Sequence, residues 1–72
     1  MTIDKNIPQQ EFLRRAMDEL GMTRELFAKR INVAEKTLDK WLAPNGTSDF
    51  RKMPDIAWSY TIDILSWLRN NS

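Results

Sequence analysis

The stretch from Met22 to Leu42, MTRELFAKRINVAEKTLDKWL, decides how this chain folds. Thr23 has the side chain of a helix N-cap, and Phe27, Ala28 and Ile31 recur at the spacing of one helix face, so the pattern predicts a short helix from Arg24 to Ile31. Asn32 ends it. Asparagine tolerates positive φ better than most side chains, so Ile31-Asn32-Val33-Ala34 reads as a tight turn with Val33 directed inward. A second short helix follows from about Ala34 to Leu42, burying Leu38, Trp41 and Leu42. At about 100° per residue, Lys36 and Lys40 lie close to opposite Leu38 and point away from the core.

On the N-terminal side, Ile7-Pro8 is placed to open a helix from Gln9 to Leu20, because proline is tolerated in a first turn. Phe12, Leu13, Ala16, Met17 and Leu20 share one face and the charges fall elsewhere, while Gly21 supplies a left-handed cap. No element is expected before Ile7. On the C-terminal side, Ala43 to Asp49 collects Pro44, Asn45-Gly46 and small polar residues and reads as a loop. Phe50 and Met53 are placed to pin its far end to the core, or Ser48 to cap one short turn there. Pro54 and Asp55 then start the longest helix, about 54–70, which the Asn70-Asn71-Ser72 tail ends. No stretch alternates polar and apolar residues long enough for a strand. The expected fold is therefore all-α, a small bundle of four to five helices in a single domain spanning 1–72.

Composition narrows the function. A chain of 72 residues with 42% hydrophobic and 29% charged residues has room for one small core. The absence of Cys and His rules out disulfides, thiolate or imidazole zinc sites and every catalytic arrangement built on those residues. No metal, cofactor or small-molecule ligand is expected. An enzyme is not expected either, since the Asp and Glu pairs fall on solvated helix faces and no Ser or Lys has a base placed beside it. Apolar runs are far shorter than the roughly 20 residues needed to cross a bilayer, and the first residues lack a signal-peptide core, so the expectation is a soluble, cytoplasmic, nucleoid-associated protein. Net charge is only +1, but from Arg24 to Lys52 seven basic residues face four acidic ones. That locally basic middle is compatible with a phosphate-backbone partner.

Two short helices joined by a tight turn, the second with lysines on its outer face, form a helix-turn-helix unit at about 23–42. The whole of Met22–Leu42 resembles, without a gap, the helix-turn-helix of the Cro/CI-type (XRE-like) repressor family. That family usually has Thr-Gln at the start of the first helix, Ala within it, Gly-Val at the turn, then Ser-x-x-Thr-Ile, and Trp near the end. Thr23, Ala28, Val33, Thr37, Leu38 and Trp41 occupy the matching positions. Ala28 stands where the helices cross, and Val33 and Leu38 fill the angle between them. Arg24 replaces the usual Gln, Asn32 the Gly and Ala34 the capping Ser. The last change removes a cap worth on the order of 1 kcal/mol.

The resemblance implies that Ala34, Glu35 and Lys36 enter the major groove of double-stranded DNA first, with Asp39 and Lys40 one turn on. Lys36 can donate to guanine O6 and N7, Glu35 can accept from cytosine N4, and Ala34 can meet a thymine methyl. Alternatively, Glu35 and Asp39 reject wrong sequences or orient Lys36 and Lys40 through ion pairs. Arg24, Arg51 and Lys52 are the backbone candidates, with Lys40 as a further one. The family also implies a transcriptional repressor of the small phage or plasmid kind. The rival expectation is a helical protein-interaction module, such as an antitoxin or a phage inhibitor, without sequence-specific DNA binding.

The last helix is apolar on two sides. Ile56, Ala57, Tyr60, Ile64, Trp67 and Leu68 form one stripe, expected to pack on the preceding helices. Trp58, Ile62 and Leu65 form a second with Arg69 beside them, and one short chain cannot cover both, so this second stripe is the expected interface of a homodimer. The alternative is Trp58 packed on Phe50 and Met53. A two-fold dimer presents two recognition helices to successive major grooves about 34 Å apart, as a palindromic operator requires.

Overall fold

The computed structural model describes residues 7–70. The expectations for residues 1–6 and for the tail at 71–72 lie outside the described residues. Four α-helices make up the architecture: α1 (Gln9–Leu20), α2 (Arg24–Arg30), α3 (Glu35–Leu42) and α4 (Asp55–Asn70). There is no strand among the described residues, so the chain is all-α, a small helical bundle in which α1 packs on α3 and α4 while α2 packs on α3.

Two helix ends close in the same way. Gly21, at φ 65°, donates its amide to Asp18 O while Met22 donates to Met17 O. At the end of α2, Asn32, at φ 61°, donates to Lys29 O while Val33 donates to Ala28 O. Both are Schellman closures, in which a left-handed residue folds two amides back onto the last turn's orphan carbonyls. Asparagine thus does at the second corner what glycine does at the first. Thr23 caps α2, its Oγ1 accepting from the Leu26 amide at 3.3 Å. Ala34, in extended geometry, caps α3 without any side-chain bond.

The end of α3 is closed by residues distant in sequence. Ala43 is extended, so no left-handed residue returns amides to the last carbonyls. Buried glutamines of α1 do this instead. Gln9 Nε2 donates to Trp41 O and to Arg51 O, and Gln9 Oε1 accepts from the Met53 amide, each at 2.8 Å. Gln10 Nε2 donates to Ala43 O and to Asn45 Oδ1, also at 2.8 Å. The Arg51 amide completes the set by donating to Lys40 O. The first turn of α1 thereby clamps α3 and both ends of the following loop. Inside that loop Thr47, rather than Ser48, makes the local turn: its amide and hydroxyl donate to Pro44 O, and its carbonyl accepts from the Phe50 amide.

The core contains Phe12, Leu13, Ala16, Phe27, Ala28, Ile31, Leu38, Trp41, Leu42, Met53, Trp58, Ile64 and Leu65. It corrects the expected orientation of α4. Trp58 and Leu65, assigned to a dimer face, are 7% and 2% exposed inside a single chain; Ile62 packs partly buried against the same core, and Arg69 bonds Glu19 of α1 through Nε and Nη2. Ile56 and Trp67, assigned to the core, are 79% and 64% exposed, and Tyr60 lies outside as well. Two side chains set the rotation. Trp58 stacks on Phe12 with ring centroids 4.3 Å apart, so its ring is taken up by α1. Thr61 can be fully buried because its hydroxyl donates to Ala57 O within the helix, which removes the cost of hiding a polar group.

Candidate nucleic-acid interface

The α2–turn–α3 unit puts one face of α3 into the core and the opposite face into solvent. Leu38, Trp41 and Leu42 are buried, whereas Ala34, Glu35, Lys36, Asp39 and Lys40 are all exposed. Helical position accounts for this division from Glu35 onward, since residues three and four apart share a face, whereas Ala34, four residues before Leu38, is exposed because it is the extended N-cap ahead of the first turn. Phe27 and Ala28 of α2 close the angle from the other side, and Val33 packs partly buried at the turn. The five residues expected to read base edges therefore form one continuous exposed surface over the first two turns of α3.

Charge pairing within this surface is selective. Arg24 Nη1, at the start of α2, binds Asp39 Oδ1 of α3 at 3.0 Å, both groups about half exposed. Asp39 therefore orients Arg24, and the expected ion pair from Asp39 to Lys36 or Lys40 is not formed. Glu35, Lys36 and Lys40 carry no side-chain ion pair among the described residues, leaving both lysine ammonium groups available to an external acceptor. An exposed pair such as Arg24–Asp39 is worth little to stability, about 0–1 kcal/mol. Its consequence is geometric: it holds a guanidinium at the edge of the α3 surface.

Arg51 and Lys52 follow the loop and are exposed. The Arg51 guanidinium donates to Ser48 O and Phe50 O, so this side chain braces its own loop, while its main chain is held by Gln9 and Lys40 O. Arg24, Ala34, Glu35, Lys36, Asp39 and Lys40 are thus brought together on α2 and α3, with Arg51 joined to the end of α3 through the backbone. Trp58, Ile62, Leu65 and Arg69 are not part of an exposed face.

No family model matches the chain, and no similar curated protein or solved structure is found. The site rests on its own geometry.

Sequence reasoning missed Gln9 and Gln10. The sequence reading gives them no role beyond opening α1, yet they hold the C-terminal end of α3. A weak signal is present, since Ala43-Pro44 rather than Gly or Asn directly follows Leu42, so the orphan carbonyls of α3 need partners from elsewhere. Among the described residues no group of acidic side chains is arranged to hold a metal, and no helix is long and apolar enough to cross a membrane.

Proposed function

We propose that this protein is a sequence-specific, double-stranded DNA-binding transcriptional repressor that acts as a homodimer on a palindromic operator, in the manner of Cro/CI-type regulators. The observation that carries the reading is the outer face of α3, where Lys36 and Lys40 stand exposed beside Ala34 and Glu35 and form no ion pair among the described residues. Lys36 donates to guanine in the major groove, and Ala34 at the helix start makes room for close approach or meets a thymine methyl. Arg24, held by Asp39, spans from α2 toward the DNA backbone and sets register without reading sequence. In this reading, occupancy of the operator is itself the mechanism of repression.

Selection of bound sequences from random duplex DNA, followed by salt titration of the best site, tests this reading. The expected result is a two-fold symmetric consensus whose affinity falls with salt, with a slope of about −0.9 per phosphate contact. The rival reading, a helical interaction module, draws on the exposed apolar residues of α4 and predicts no enrichment of any sequence.

A further inference from the structure

The outer face of α4 carries a projecting aromatic at one end and a recess at the other. At about 100° per residue, Ile56, Tyr60, Asp63 and Trp67 fall within about 60° of one another, on the side away from α1. Trp67 is 64% exposed near the C-terminal end. Over the N-terminal half lies a largely apolar groove of about 530 Å³, walled by Ile31, Val33, Trp41, Pro54 and Ile56 and reaching along α4 to Tyr60 and Asp63. Ile56, at its rim, stands 11 residues before Trp67, about 16 Å away at the rise of an α-helix. A knob and a hole on the same face, at opposite ends of one helix, are what an isologous two-fold contact requires, because each copy then supplies the knob for the other's hole.

From this geometry we propose that a second copy of the chain docks on this face, α4 against α4 in antiparallel, with Trp67 of each copy seated in the groove of the other. The proposal deepens the homodimer of the preceding subsection by replacing its expected surface, Trp58, Ile62 and Leu65, with Ile56, Tyr60 and Trp67. The polar groups of the face agree with the same register. Ile56 with Trp67, and Tyr60 with Asp63, share one midpoint, between Thr61 and Ile62, so seating Trp67 beside Ile56 of the second copy also sets Asp63 opposite Tyr60. Tyr60 already holds Arg30, whose Nη1 donates to the Tyr60 hydroxyl at 3.2 Å. Asp63, an acidic group amid apolar neighbours, thereby meets both a hydroxyl and a guanidinium of the other chain. Parallel packing would instead set Asp63 against Asp63.

The area is adequate for a modest dimer. At roughly 200 Å² for each large side chain, the exposed parts of Ile56, Tyr60 and Trp67 come to on the order of 350 Å² per copy. With the remaining groove walls added on both sides the contact comes to about 900 Å², the size of a weak, reversible interface.

Sedimentation equilibrium of the full chain without DNA tests the proposal. The unmutated protein should sediment as a reversible dimer. Trp67→Ala, an exposed position that leaves the core intact, should raise the dissociation constant at least about thirtyfold, as loss of a buried aromatic anchor does. Asp63→Arg should also weaken the dimer, and adding Arg30→Asp to the same chain should bring the constant back to within about threefold of the original by restoring the cross-chain pair. Circular dichroism confirms that each variant is folded. A monomer at every concentration, a Trp67→Ala protein that dimerises undiminished, or a charge swap without recovery overturns this arrangement. Binding of the monomeric variant to a single half-site measures the DNA reading separately, so loss of one does not imply loss of the other.

Discussion

Replacing Gln9 by Ala removes three hydrogen bonds of 2.8 Å at once, to Trp41 O, Arg51 O and the Met53 amide. Arg51 is exposed, so its carbonyl regains a water and contributes little. The Trp41 carbonyl and the Met53 amide lie in buried surroundings, and each orphaned group costs about 1–3 kcal/mol. The expected loss is therefore about 2–6 kcal/mol. Against a total of roughly 4–11 kcal/mol for a domain of this length, that is a large fraction. It corresponds to a fall in Tm of at least about 8 °C at roughly 4–8 °C per kcal/mol. Gln10→Ala should cost less, about 1–2 kcal/mol, since its two acceptors are only partly buried and can be rehydrated. Urea unfolding followed by tryptophan fluorescence gives both numbers, and hydrogen exchange at the Met53 amide reports the local opening. A Gln9→Ala protein within 1 kcal/mol of the original, or one no less stable than Gln10→Ala, refutes the clamp as the closure of α3.

Lys36→Ala should weaken specific DNA binding by about 1–3 kcal/mol and relax preference at one base pair per half-site, whereas Arg24→Ala should weaken all sequences alike; titrations on matched and mismatched operators separate the two, and identical profiles would reject the division into reader and anchor. Ala34→Ser should stabilise the fold by about 1 kcal/mol, because the extended N-cap backbone is in place and only the side-chain acceptor is missing; an unchanged urea midpoint counts against it. Trp58→Ala should cost about 3–5 kcal/mol through loss of its stack on Phe12, and the cost should appear with little change in the dissociation constant of whatever folded protein remains, the reverse of the expectation for Trp67→Ala.

Local signals carried the helix boundaries. Thr23 before α2, Gly21 and Asn32 at the two left-handed corners, and the Pro44–Asn45–Gly46 break are each decided by the conformations a residue and its immediate neighbours can adopt, so they are legible in the chain. The exposure of Lys36 and Lys40 followed from helical periodicity, because Leu38, Trp41 and Leu42 left a single face to bury. The ion pair of Asp39 was less accessible: three cations were within plausible reach, and only the packing of α2 on α3 selects Arg24.

For α4, residue order was insufficient, since a helix apolar on two sides has two rotations of similar hydrophobic gain and periodicity does not rank them. Stacking of Trp58 on Phe12 and burial of Thr61 against its own backbone chose the one that exposes Ile56, Tyr60 and Trp67. Gln9 and Gln10 are the same lesson for polar groups. A sequence shows that an amide side chain can donate and accept, but which backbone groups lack partners becomes known only when elements more than 30 residues apart are brought together. The chain by itself thus determined where helices start and stop and which side of a clearly amphipathic helix is buried. Tertiary structure decided what a doubly apolar helix hides and what closes α3, because both depend on side chains that meet only after the fold has formed.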